Sequence, residues 1–163
     1  MATELARKTA EIANRDVGIR ETPPNSNRGE RIDEYHSTTH TPLESPYCAA
    51  AISTWILEAS VELKIQRAFR GSASALALWS YNIEASILPR ELVPGHLPCV
   101  GIIDHGGGKG HAYLAVGCDF LTGEIQTIDP NSNPAGSREG GGVYALNIRK
   151  LGDNGLKGFI RIE

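Results

Sequence analysis

From residue 99 onward the chain's hydrophobic pattern changes period, and this change constrains the fold more than any other feature. Five segments, "CVGIID" (99–104), "HAYLAVG" (111–117), "EIQTID" (124–129), "VYALNI" (143–148) and "GFIRI" (158–162), follow a period of two. A period of two marks a β-strand with a buried face, and the Gly-, Asp- and Asn-rich pieces between the segments are turn formers. Before residue 99 the spacing is helical. Thr3 can cap a helix running to about Asn14, with Leu5, Ile12 and Ala13 on its inner face. "ERIDEY" predicts a short helix, and "SASALALWSYNI" a further one with Leu76 and Trp79 on one face. "ETPPNSNRG", "HSTTHTPLESP" and "LPRELVPGHLP" read as loops. Helices first and an antiparallel meander afterwards is the α+β pattern, here helices packed on an antiparallel sheet of about five strands. No internal repeat or linker divides the 163 residues, so 1–163 reads as one domain.

Composition narrows the function classes. The net charge is -3 and no basic block occurs, which argues against nucleic-acid binding. No apolar run approaches the roughly 18 residues of a membrane span. The opening "MATELARKTAEIANRD" is polar and helical rather than a signal peptide. The chain is therefore expected to be made in the cytoplasm, with another export route for any role outside it. Three cysteines, an odd number without zinc-like spacing, argue against a disulfide framework and against a structural zinc site.

The least ordinary local chemistry is "SPYCAAAISTWI", residues 45–56. Ser45 is placed to cap a helix and Pro46 to open it. Ile52, Trp55, Ile56 and Ala59 keep helical spacing toward about Leu63. Cys48 then sits at the head of a helix, where partial positive charge and unpaired N–H groups stabilise a thiolate and a developing oxyanion. The plainer reading is a small buried hydrophobe, the commoner fate of a lone cysteine. A nucleophile needs a base and an orienting group. His111 opens a strand just after the loop "GGGKG", and His105, at the end of the preceding strand, is the rival base. Asp129 ends the next strand and Asn131 follows it. Either side chain could accept the second imidazole N–H, although Asp-Pro-Asn alone is a turn initiator.

Cys at a helix start, His at a strand start, then Asp or Asn at the end of the next strand is the order of papain-like amidases. The chain resembles the CHAP family of cysteine, histidine-dependent amidohydrolases and peptidases, and more loosely the NlpC/P60 family. "SPYCAAAISTWI" is similar to its Pro-Trp-Cys-Ala-Ala-Phe block, "GHAYLAVG" to its Gly-His-Val-Gly-Ile-Val block and "IDPNSN" to its acidic-x-Asn block. "SREGGGVY" with "GFIRI" resembles the way such domains close, and "ETPPNSNRGERIDEY" an Asn-x-Gly lead-in. The resemblance implies a papain-like fold, Cys48 as nucleophile, His111 as general base, Asp129 as the acidic residue and Asn131 as the Asn of the site. It implies a peptidoglycan peptide as substrate, cut as an amidase or endopeptidase would cut it. It further implies no cofactor. The setting would be a phage lysin or an antibacterial toxin, released by a holin or secretion system to act at the cell wall or periplasm, with an immunity protein as partner if it is a toxin. Tyr47 stands where the family usually has Trp, Tyr113 where a small residue is common, and the calcium-binding Asp run of some members is missing. The same layout would also serve a cysteine protease or transamidase acting on protein, or a non-catalytic binding module of the same fold.

Three tempting motifs fail. "DPNSNPAGSREG" starts like a calcium loop but has Pro134 where Gly is required and Gly140 where the bidentate Glu belongs. "GGGKGH" lacks the phosphate-loop spacing. "HSTTH" places His36 and His40 four apart without the Glu and helix of a zinc motif. "EGGG" (139–142) reads as a turn.

Overall fold

Thr3 starts the first helix as its sequence predicts: its backbone is extended and its hydroxyl accepts the N–H of Ala6 at 3.0 Å. The resulting α1 spans Glu4–Asp16 and buries Leu5, Ala6, Thr9, Ile12 and Ala13. The computed structural model describes residues 1–137 and 140–163. Of the turn expected at "EGGG", Glu139 lies outside the described residues. The second helix, α2, covers Glu30–Thr39, so it takes in His36 and the three residues after it, which the sequence assigned to a loop. The cause is tertiary: Ile32, Tyr35 and His36 form its buried face, and this burial outweighs the weak helix propensity of Ser and Thr. α3 spans Cys48–Leu63 and α4 Ala75–Tyr81. α3 is buried almost all round through its first three turns, as the largely apolar "CAAAISTWI" requires.

Six strands follow: β1 (Ser86–Ile87), β2 (Cys99–Gly106), β3 (Lys109–Cys118), β4 (Glu124–Ser132), β5 (Gly142–Lys150) and β6 (Leu156–Arg161). They form one antiparallel sheet in the order β1-β6-β2-β3-β4-β5. The five long strands are the five expected ones. The two-residue β1 pairs only with β6 and has no periodicity long enough to read. The hairpin between β2 and β3 turns on Gly106, Gly107 and Gly108, with φ of 79°, 62° and 77°. Three successive left-handed residues are strained for anything but glycine, so "GGGKG" makes this turn by necessity.

Alternation on β3 divides two cores. Ala112 and Leu114 face the helices and pack with Ile52, Trp55, Ile56 and Ala59 of α3. Tyr113 and Ala115 face the other way and pack with Cys99, Ile103, Ile125 and Phe159. Tyr113 fits because its cross-strand partner is Gly101: a Cβ there would lie 2.3 Å from the ring. α3 lies against β3 and β4, which puts its first residue beside the start of β3. No helix among the described residues is long and apolar enough to cross a membrane.

Candidate active site

The helix that carries Cys48 begins without a side-chain cap. Ser45, expected to cap it, donates its hydroxyl to the Pro42 carbonyl at 2.7 Å instead, and Tyr47 holds the cap position with no side-chain bond to the helix N–H groups. The first helical hydrogen bond is from the Ala51 N–H to the Tyr47 carbonyl at 2.9 Å. The earlier N–H groups therefore have no intrahelical acceptor, and no side chain of the cap residue takes one. Those of Ala49 and, from β3, Ala112 act on the Cys48 sulfur. Cys48 itself is 7 % exposed.

Tyr47 holds this helix start in place. Its ring is buried, stacked on Tyr35 at 6.1 Å and set edge-on to His36 at 6.3 Å. Its hydroxyl donates to the buried Glu21 carboxylate at 3.3 Å, which also accepts the Asn27 N–H at 3.0 Å. His36 contributes from α2: its Nε2 lies 2.8 Å from the Ser45 carbonyl, an acceptor, so this nitrogen carries the proton. The segment "ETPPNSNRG" and the helix after it thus brace the loop that precedes the cysteine.

The third residue of β3 is His111, 1 % exposed. Its Nε2 lies 3.1 Å from Asp129 Oδ2. A carboxylate only accepts, so Nε2 carries the proton, and Nδ1, which has no hydrogen-bond partner among the described residues, is the nitrogen free to work with the thiol. His105, the rival base, is exposed at the end of β2. Asp129 does not end its strand; β4 continues to Ser132. Its carboxylate is fully buried and occupied on all sides. Thr127, two residues earlier on the strand, donates its hydroxyl to Oδ1. Arg149 of β5 donates to Oδ2 from Nε at 3.1 Å and from Nη2 at 2.5 Å. Asn131 is buried too, but it leaves the strand geometry with φ 52°, and neither side-chain amide atom has a partner among the described residues. Of the two expected orienting groups, Asp129 is therefore the one hydrogen-bonded to His111.

The electrostatics follow from these contacts. Burial by itself pushes the Cys48 thiol up, but the neighbouring His111 imidazole and the N–H groups of Ala112 and Ala49 bring it below its ordinary value. Burial likewise disfavours the His111 imidazolium, and Asp129 and Cys48 overcome it, raising the ring to about 9. Burial opposes ionisation of Asp129, and His111, Arg149 and Thr127 reverse that, so its carboxyl is held below the usual range. The other buried thiol gives the contrast: Cys99, with no cation or helix start, is raised by burial above the ordinary thiol range. Cys48 is thus set apart from a packed cysteine by its surroundings, not by its exposure.

Sequence reasoning missed Thr127 and Arg149. Thr127 was within reach, since a period of two puts it on the same face as Asp129; for Arg149 no local signal exists, because only the β4–β5 pairing brings it near. Among the described residues no group of three or more His, Cys, Asp or Glu side chains converges as metal ligands would. A surface cavity of about 690 Å³, bordered by His40, Ser53, Leu57, Arg67 and Arg70, is lined by none of Cys48, His111 and Asp129. No family model, no curated protein and no solved structure matches this chain.

Proposed function

We propose that this chain is a cysteine-dependent amide hydrolase of papain-like layout that cuts a peptide amide of peptidoglycan. The observation that carries the reading is the pairing at one point of a thiol on an uncapped helix start, an imidazole with one free nitrogen, and a buried carboxylate on the other nitrogen. The same fold could pack a cysteine there without the second and third groups. The peptidoglycan substrate rests on the resemblance of "SPYCAAAISTWI", "GHAYLAVG" and "IDPNSN" to the CHAP blocks.

In the reaction, His111 Nδ1 takes the Cys48 proton, giving a thiolate and an imidazolium whose other N–H stays on Asp129. The sulfur attacks the amide carbonyl carbon and forms the C–S bond. The oxygen's negative charge develops beside the free N–H groups at the start of α3. As the C–N bond breaks, His111 returns its proton to the leaving amine and a thioester remains. Water, deprotonated by His111, then attacks the thioester; the C–S bond breaks, the acid leaves and Cys48 regains its proton.

The test is digestion of purified sacculi by the wild type and by Cys48→Ala, with released fragments read by mass spectrometry. Wild-type protein is expected to release muropeptides whose new ends name the bond cut, and the variant to release none. Equal release by both would remove Cys48 from the chemistry. No release by either, with rapid alkylation of Cys48 by iodoacetamide at about pH 6.5 where only a low-pKa thiol is ionised, would keep the nucleophile and reject the substrate in favour of a protein amide.

A further inference from the structure

Behind the Cys48–His111–Asp129 line stands a fourth residue. Arg149 lies on β5, one strand beyond Asp129, with a side chain that is only 12 % exposed. Two of its N–H groups converge on Asp129 Oδ2, the same oxygen that accepts His111 Nε2–H. Nη2 also donates to the Gly136 carbonyl at 2.9 Å, and the guanidinium lies 5.5 Å from the centre of the Tyr113 ring. Tyr113 in turn lies 6.5 Å from the His111 ring. The guanidinium is therefore held on three sides by groups that belong to the site or its loop. An arginine needed only to neutralise a buried carboxylate would meet it fork to fork, one nitrogen on each oxygen. Here Oδ1 is left to Thr127, and the arginine competes with the imidazole for Oδ2.

We propose that Arg149 is a positioning residue of the site: it acts through Asp129, drawing off part of the carboxylate's negative charge, so that the imidazolium can still give its proton away. This rests on the reading of Cys48 and His111 as nucleophile and base. The physical need is plain. A fully buried, unshared carboxylate on an imidazolium would hold the proton so strongly that the leaving amine could not receive it. Around the ring stand Cys48 from α3, Asp129 from β4 and Tyr113 on its own strand, with Arg149 from β5 behind the carboxylate. Of these, Arg149 is the permanent cation.

The proposal is tested by the ring ¹³Cε1–¹Hε1 titration of His111 in the full chain, the cross-peak being assigned by its loss in His111→Gln. Arg149→Met is expected to move the His111 midpoint upward by about half a pH unit or more, since an unshared carboxylate favours the imidazolium. Arg149→Gln, which keeps an N–H donor without the charge, moves it the same way and serves if the Met variant does not fold. Arg149→Lys restores the wild-type midpoint. Asp129→Asn moves the midpoint downward and so supplies the opposite sign. A neutral substitution that leaves the midpoint unchanged or lowers it overturns the proposal. The titration needs no substrate, so failure to cut sacculi would not be confused with failure here.

Discussion

Two aspartates are buried in this molecule, and each gathers three donors on a single Oδ2 atom. Asp16, the last residue of α1, accepts Arg31 Nε at 2.9 Å, the Tyr35 hydroxyl at 2.6 Å and Trp55 Nε1 at 2.7 Å. Arg31 continues to Glu58 through two bonds of 2.8 Å and to Glu34 at 2.7 Å. Asp129 accepts two N–H groups of Arg149 and one of His111. The difference lies in the donors. Those of Asp16 keep their protons throughout the physiological range, and the Tyr35 phenol is driven further up by burial and by the Asp16 charge. The network is a clamp that ties α1 to α2 and α3. One donor of Asp129 is an imidazole whose other nitrogen is unengaged, so this second network can lend and recover a proton. On the proposed reading, the same carboxylate chemistry is structural in one place and reactive in the other because of a single partner.

Substitution of the two acids should separate these roles. Asp129→Asn is expected to cost the most: a loss of about 10³–10⁴-fold in amide cleavage, with the imidazole no longer held in its tautomer. Alkylation of Cys48 at acidic pH should slow with it. Asp16→Ala should leave that alkylation unchanged while lowering the free energy of unfolding by about 3 kcal/mol, because Arg31, Tyr35 and Trp55 lose their common acceptor inside the protein. Urea unfolding and iodoacetamide kinetics on both variants give the four numbers. Slow alkylation in the Asp16 variant would mean that the clamp and the site are one unit.

The two networks also differ in how far a reader of the sequence could see them. Cys48, His111 and Asp129 are legible because each sits at a pattern boundary: an apolar helix start, the residue after a glycine turn, the end of an alternating run. The sheet is legible for the same reason, since each strand is long enough to show its period. Asp16 carried a signal that went unread. A carboxylate in the last turn of a helix opposes the helix dipole, so it demands a partner from elsewhere. Arg31 was not nameable, because only the packing of α2 on α1 and α3 brings it there. Ser45 misled for a local reason, its hydroxyl being taken by Pro42. Tyr113, a bulky residue with no reason of its own in the sequence, makes sense only with Gly101 across the strand. Gly101→Ala should therefore destabilise by about 1–3 kcal/mol through forced displacement of the Tyr113 ring, read again by urea unfolding. Gly101→Ala with Tyr113→Val should recover most of that loss, and failure to recover would show that the glycine serves the backbone rather than the ring.

The smallest expected effect is on the pH dependence of stability, and it tests the difference between the networks most directly. The His111 pKa is raised from 6.5 to about 9, so its contribution is full below 6.5 and is lost as pH rises toward about 9. The Cys48 pKa is lowered from 9.0, so its contribution is full above 9.0 and is lost as pH falls toward the folded value. Where the folded thiol is ionised and the pH is below 9.0, the two slopes oppose each other, since the folded pair keeps its proton on the imidazole and the unfolded pair keeps it on the thiol. Removing the thiol in Cys48→Ala leaves only the raised histidine held by Asp129. That variant should lose stability as pH rises above 6.5, a loss that the ionised thiol opposes in the wild type. Asp16→Asn should shift the whole curve downward without changing its shape, because none of its donors titrates in that window. Parallel curves for wild type and Cys48→Ala would mean that thiol and imidazole do not share a proton, and the distinction between clamp and reactive site would fall.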